Sequence, residues 1–290
     1  MAAESGTGTG ADAGADPSVG GQSVEDRLRA GPPTPPEDAA LGCRDVTKTF
    51  GAVTAVDDVS MAIESGEWVS IVGPNGAGKT SLLNVFNGFY TPDTGEIYLG
   101  GAEITGLKPY KRARRGLSRT FQGVELFEHE SVLENVMTIQ GVSNAPNLLE
   151  AGLFVGPGRT KEVENMRQVE EIIDYLELWE HREQPIAALP LGVRRRVELA
   201  RALTLDPEVL LLDEAMSGLT FDEKYDMVRF ITDLHEEQNQ TIVMIEHDLE
   251  VVTAVSERMI VLHQGAIIAR GEPDEVTADP EVARVYTEVG

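Results

Sequence analysis

Residues 73–80 read Gly73-Pro74-Asn75-Gly76-Ala77-Gly78-Lys79-Thr80, and what flanks them decides the fold. The run matches the phosphate-binding pattern G-x-x-x-x-G-K-S/T. A β-type apolar run, Trp68-Val69-Ser70-Ile71-Val72, precedes it, and a helical run opening at Lys79 follows through Ser81-Leu82-Leu83-Asn84-Val85-Phe86. A strand, a glycine loop and a helix N-terminus gather backbone N–H groups at one point, where the helix dipole favours negative charge. Gly73, Gly76 and Gly78 supply the backbone freedom for the wrap, and Pro74, Asn75, Ala77 and Ser81 complete it. Lys79 is expected to reach the β- and γ-phosphates of a nucleoside triphosphate, and the Thr80 hydroxyl to ligate Mg²⁺.

The 290 residues suffice for one large domain or two modest ones. No apolar run approaches the roughly 18 residues of a membrane span. The N-terminus lacks an apolar signal-peptide core, which argues for the cytoplasm. Cys43 is the only cysteine, so an intrachain disulfide and a cysteine-based metal cluster are both excluded. The net charge is −25, and only six of the 24 basic residues are lysines. Such a surface repels a phosphate backbone, so no nucleic acid is expected as a partner. At about 1 M salt the Debye length shrinks to roughly 3 Å and the self-repulsion largely disappears. The composition resembles that of salt-in halophile proteins.

Residues 1–40 are rich in Gly, Ala, Ser, Pro and Asp with few large apolar side chains, and read as a disordered tail ending in Gly31-Pro32-Pro33-Thr34-Pro35-Pro36. From Leu41 the pattern turns to short strands. Val59, Met61 and Ile63 alternate with Ser60 and Ala62, and Gly95–Leu99 follows a turn at Pro92-Asp93-Thr94-Gly95. Residues 132–188 are mainly helical in pattern, with Val169, Ile172, Ile173 and Leu176 at helical spacing; Val197, Ala200 and Leu203 repeat it. Val209–Leu212 and Thr241–Ile245 are continuous apolar runs of buried-strand type, separated by a helix through Met227, Phe230, Ile231 and Leu234. Met259–Leu262 and Ala266–Ala269 suggest a hairpin turning at Gln264-Gly265. Strands alternating with helices imply a parallel sheet covered on both faces.

Val209-Leu210-Leu211-Leu212 ends abruptly in Asp213-Glu214. Ligands of such sheets sit beyond the carboxyl ends of the strands. Asp213 is expected there to hold Mg²⁺ through water, and Glu214 to orient and activate an attacking water.

With both motifs in place, the chain resembles an ATP-binding-cassette (ABC) ATPase over about residues 41–290. The resemblance implies an α/β P-loop fold with a mixed or parallel core sheet, an antiparallel β subdomain and a helical subdomain inserted at about 123–205. It implies ATP and Mg²⁺ as ligands. Gln122, in Arg119-Thr120-Phe121-Gln122, matches the family's glutamine loop, which senses Mg²⁺ and water and abuts a membrane partner. His247, in Ile245-Glu246-His247-Asp248, matches the switch histidine that contacts the γ-phosphate, and its place after a buried strand suits that role. His129, His181, His235 and His263 lack such context and read as structural or solvent-facing. Phe50 matches the aromatic that stacks on adenine; a core phenylalanine is the competing reading.

The signature loop departs from the family's Leu-Ser-Gly-Gly-Gln. Residues 189–193 read Leu189-Pro190-Leu191-Gly192-Val193, followed by Arg194-Arg195-Arg196. Pro190 has neither a hydroxyl nor an N–H to offer a γ-phosphate, whereas Gly192 keeps its amide. The arginines read as a compensating charge or, more simply, as a solvated helix face. The Leu-Pro-containing loop before a basic helix, the run Arg119–Leu126, the text after Glu214, the long helical insert and the ending Gly271–Val276 resemble ATPase subunits of branched-chain amino-acid importers. That resemblance implies a homodimer or heterodimer with a second cassette ATPase, membrane permease subunits and, indirectly, a substrate-binding protein. It also implies a peripheral place on the cytoplasmic face of the cell membrane. The competing readings are a soluble cassette ATPase acting in cofactor assembly and a weakly hydrolysing, nucleotide-dependent scaffold.

Overall fold

The computed structural model describes residues 34–120, 126–143 and 157–287. In chain order the strands are Leu41–Phe50 (β1), Val53–Ile63 (β2), Trp68–Val72 (β3), Thr94–Leu99 (β4), Ala102–Glu103 (β5), Leu117–Thr120 (β6), Val209–Asp213 (β7), Thr241–Ile245 (β8), Arg258–His263 (β9) and Ala266–Gly271 (β10). The helices are Lys79–Asn87 (α1), Pro109–Ala113 (α2), Val132–Ser143 (α3), Pro157–Tyr175 (α4), Leu191–Leu203 (α5), Phe221–Gln238 (α6), Leu249–Val255 (α7), Pro273–Thr277 (α8) and Pro280–Thr287 (α9). Two sheets result. One is antiparallel, in the order β2–β1–β4–β5. The other runs β10–β9–β3–β8–β7–β6, parallel from β9 to β6 with β10 antiparallel at its edge. This is the expected mixed core sheet with an antiparallel partner, and the hairpin turns where the sequence placed it.

The continuous apolar runs are explained by burial on both faces. On β7, Leu210 and Leu212 join a core with Val197 of α5 and Phe230 of α6, whereas Val209 and Leu211 join a second core with Leu41, Met61 and Ile97 of the antiparallel sheet. Helix α1 belongs to the second core. At nine residues it is too short to be stable alone. Burial of Leu82, Leu83, Val85 and Phe86 holds it, each contributing about 1.5–3 kcal/mol. Its last carbonyls are met by a side chain rather than by water: the buried Arg112 guanidinium donates to Val85 at 2.7 Å and Phe86 at 2.6 Å. Burial lowers the Arg112 pKa to about 10.

The region expected to be helical contributes α3, α4 and α5. Helix α3 begins with a reciprocal cap between Ser131 and Glu134. The buried Asn135 amide staples the preceding turn through Phe127 and Ser131. At the other end of the chain, order reaches back beyond Leu41, where the composition suggested only a tail. Pro36–Asp38 forms a 3-10 turn, Pro36 and Ala39 are buried, and the Glu37 carboxylate pairs with Arg44 of β1. Gly42 permits this contact, because a Cβ there would overlap the Pro36 backbone. Residues 1–33 lie outside the described residues.

Candidate nucleotide site

The glycine loop leaves β3 and enters α1 at the carboxyl ends of the parallel strands. Gly78 is the residue before α1, with φ 103°, and no side chain caps the helix. The first backbone N–H groups of α1 are therefore left to a ligand. Gly78 is required twice over: its φ is left-handed, and a Cβ would overlap the Ala55 carbonyl of β2. The β1–β2 hairpin is thus packed directly against the loop. Inside the loop, Lys79 Nζ donates to the carbonyls of Gly73 at 2.6 Å and Pro74 at 3.0 Å. Burial lowers the Lys79 pKa, while the charges of Glu214 and Asp213 act in the opposite direction. These three groups therefore share one electrostatic environment.

Asp213 ends β7 fully buried. Its Oδ2 accepts from Arg119 of β6 at 2.5 Å, and the same guanidinium donates to Asn84 of α1 at 2.7 Å. Asp213 Oδ1 has no hydrogen-bond partner among the described residues. A buried carboxylate oxygen left unmatched beside a lysine and a threonine-bearing helix start suits a hard divalent cation, so the donor set fits Mg²⁺.

Glu214 follows with φ 51°, a left-handed conformation that costs a non-glycine residue on the order of 1–3 kcal/mol. The turn is held by its own N–H donating to Ile245 at 2.9 Å and by Ser217 N–H donating to its carbonyl at 3.1 Å. The outcome is a contact between Glu214 Oε1 and His247 Nε2 at 2.8 Å, joining residues 33 apart in sequence. The strained turn and the adjacent strand β8 together bring a carboxylate and an imidazole to the same end of the sheet as Lys79.

The remaining expected residues fall less evenly. Phe50 ends β1 at the hairpin tip. It is 42% exposed and touches Tyr90 edge-on, which places it on the surface rather than in the core. Gln122 lies outside the described residues. Pro190 precedes α5, and Gly192 is buried so tightly that a Cβ would overlap the Glu223 carboxylate. The arginine run is not a solvated face: Arg194 donates to Leu189 and Ala187 carbonyls, Arg195 pairs with Glu198, and Arg196 reaches the Leu176 carbonyl. All three are half-buried and tie α5 to its own surroundings. His129 is exposed, and His235 contacts the Gln240 carbonyl and packs edge-on against Trp68.

Two residues of this region were not singled out in the sequence. Arg119 holds Asp213, and Glu246 is buried where it feels the charges of Glu214 and His247. Glu246 Oε1 accepts from the Met216 N–H at 2.9 Å, and burial raises its pKa. The signal for Glu246 was an acid directly after the four apolar residues Ile242–Ile245, a position where a strand end is still covered.

The ABC transporter family model matches residues 56–217. The chain is 39% identical over 242 residues to the high-affinity branched-chain amino acid transport ATP-binding protein BraF of Pseudomonas aeruginosa, covering 83% of this chain and 94% of that one. It is 37% identical over 253 residues to LivG of Escherichia coli K12, a protein of the same description, covering 85% and 96%. Among solved structures, the ADP form of MJ1267, an ATP-binding cassette of an ABC transporter, matches with a TM-score of 0.75 at 30% identity, over 86% of this chain and 98% of that one. The dimeric cassette MJ0796 matches at 0.68 and 25% identity, over 80% and 98%. No described helix is long and apolar enough to cross a membrane. The chain belongs to the ATP-binding-cassette ATPases of ABC transporters.

Proposed function

We propose that this chain is the ATP-hydrolysing subunit of an importer for branched-chain amino acids or a related small polar solute. The observation that carries the reading is the 2.8 Å contact of Glu214 with His247 beside the Lys79 loop, since a scaffold without hydrolysis needs neither group. The importer class rests on the resemblance over most of the chain to BraF and LivG.

The phosphates of ATP bind across the N-terminus of α1, where Lys79 exchanges the Gly73 and Pro74 carbonyls for phosphate oxygens. Gly73 to Ser81 supply the cradle, and Phe50, exposed at the hairpin tip, offers its ring to the adenine. Thr80, Gln122 and Asp213 would hold Mg²⁺, which when bound neutralises charge on the β- and γ-phosphates. Arg119 fixes the Asp213 carboxylate in place. Glu214 orients and deprotonates the attacking water, and His247 holds the Glu214 carboxylate and reaches toward the γ-phosphate.

Two cassettes sandwich two nucleotides, each between one subunit's phosphate loop and the other's Leu189–Val193 segment. Pro190 offers neither hydroxyl nor N–H to that contact, so the second subunit engages the phosphate through fewer bonds. Closure moves the helical segment, and the surface near Gln122 passes the motion to permease helices at the cytoplasmic face of the membrane; hydrolysis reopens the pair. The −25 charge makes molar salt the working medium.

Glu214→Gln tests this reading. In molar KCl the variant retains ATP, loses phosphate release and accumulates as a dimer by light scattering. A variant that still hydrolyses at the wild-type rate refutes the role of Glu214. Capture of the tagged wild-type protein from detergent-solubilised native membranes is expected to recover multi-span permeases, and recovery of soluble partners alone removes the importer.

A further inference from the structure

Strand β2 is an edge of the antiparallel sheet, laddered to β1 on one side. It also packs against β10 of the parallel sheet. Edge carbonyls need partners, and two arginines supply them. Arg258 Nη2, at the start of β9, donates to the Ala62 carbonyl at 2.7 Å, and Arg270 Nη1 of β10 donates to the Ser60 carbonyl at 3.1 Å. Carbonyls two residues apart on one strand point the same way and lie roughly 6.5 Å apart. The arginines are themselves diagonal neighbours. Arg270 pairs with Ile260, two residues after Arg258, so both side chains leave the same face of the β9–β10 ladder.

The charges at this junction do not balance. Glu67 takes Arg258 in a two-pronged pair, accepting from Nε at 2.6 Å and from Nη2 at 2.7 Å, with both side chains largely buried. No carboxylate does the same for Arg270 among the described residues. Burial lowers the Arg270 pKa, the neighbouring Arg258 charge lowers it further, and Cys43 acts in the opposite direction. The Cys43 thiol is pushed up to about 12 by its own burial, so it brings no negative charge. Two guanidiniums and one carboxylate thus leave one positive charge at the junction. They also leave donors: Arg258 Nη1 and Arg270 Nε are buried with no hydrogen-bond partner among the described residues. Unmatched buried charges and donors are costly, and folded proteins satisfy them.

We propose that a small monovalent anion, chloride in a potassium chloride medium, binds between Arg258 Nη1 and Arg270 Nε and ties β2 to the β9–β10 hairpin. One net charge and one unmatched nitrogen from each arginine suit a single-atom anion. A phosphate or sulfate brings about two negative charges beside the Glu67 carboxylate and asks for more donors than these two. The site sits at the junction of the two sheets, apart from Lys79, Asp213 and Glu214, and needs no nucleotide. Only folding brings β2, β9 and β10 together, so the ion binds the folded chain and stabilises it by mass action.

The test is thermal unfolding of the nucleotide-free protein at constant molar potassium, with chloride replacing the bulky anion gluconate, for the wild type and Arg270→Gln. The glutamine keeps a donor for the Ser60 carbonyl and removes the charge. Comparing the two proteins cancels the general effect of each salt. Relative to the variant, the wild-type melting temperature is expected to rise by about 3–6 °C for each tenfold increase in chloride above its dissociation constant. Bromide is expected to substitute for chloride. An equal response in both proteins is a general salt effect and overturns the site. If Arg270→Gln fails to fold, wild-type crystals grown in potassium bromide decide. An anomalous bromide peak within hydrogen-bonding reach of both guanidiniums upholds the proposal, and a water alone at that place overturns it.

Discussion

Replacing Arg119 with methionine tests how the phosphate-loop face of the sheet is assembled. The Arg119 and Asp213 side chains are 4% and 0% exposed, and they meet at 2.5 Å. Arg119→Met keeps most of the volume but strands a buried carboxylate whose other oxygen already lacks a partner among the described residues. Breaking a buried pair from one side costs about 3–5 kcal/mol. At roughly 2–4 °C per kcal/mol for a domain of this size, the melting temperature falls by about 6–20 °C. Arg167→Met is the control, because the Arg167–Glu171 pair is mostly exposed on α4 and such pairs are worth about 0.3–0.5 kcal/mol. Scanning calorimetry of the nucleotide-free protein in molar KCl separates the two, since salt screens the exposed pair and not the buried one. Adding Asp213→Asn to Arg119→Met removes the stranded charge, and stability recovers in part. The reasoning is refuted if Arg119→Met melts within about 2 °C of wild type, a shift below the range that a buried, unmatched carboxylate demands.

Other perturbations probe the neighbouring loops. Gly78→Ala places a Cβ against the Ala55 carbonyl on a left-handed backbone, so ATP affinity is expected to fall at least about tenfold, read by equilibrium dialysis; an unchanged affinity means the loop has room to shift. Burial holds the Glu246 pKa above its ordinary 4.5. For an acid raised in the folded state, the favourable contribution is present below 4.5 and is lost as pH rises through the folded value. Glu246→Gln removes that loss while keeping an acceptor for the Met216 N–H. Its melting temperature relative to wild type therefore increases from pH 5 to pH 8, and a pH-independent difference would show that the carboxylate is not the titrating group.

Much of this molecule is written in short contiguous runs. The strand–loop–helix unit from Trp68 to Asn87 is legible because its pattern is local: apolar side chains for a strand buried on both faces, glycines where φ is positive, and Leu82, Leu83, Val85 and Phe86 at helical spacing after Lys79. The same holds for Val209–Glu214 and Thr241–Asp248, where a run of four apolar residues stops at polar ones. The resemblance to a known family supplied the antiparallel β subdomain and the helical insert, which periodicity alone does not contain; the strand order came only from the structure.

Partnerships were left to the tertiary structure. Arg119 reaches Asp213 across 94 residues, and Glu246 reaches Met216 across 30, only because β6, β7 and β8 lie side by side. The triplet Arg194-Arg195-Arg196 looks like a solvated charge run until the packing of α5 supplies carbonyls and a carboxylate for it. Pro36 looks like the end of a tail until Gly42 opens a place for it on β1. Phe221 shows the converse: an aromatic that composition would assign to a core stands in solvent, because α6 turns its other face, Met227, Phe230 and Ile231, to the sheet. Backbone conformation is governed by nearest neighbours in sequence, whereas burial and partner choice are governed by neighbours in space; the phosphate loop belongs to the first kind, and the groups that hold and face it to the second.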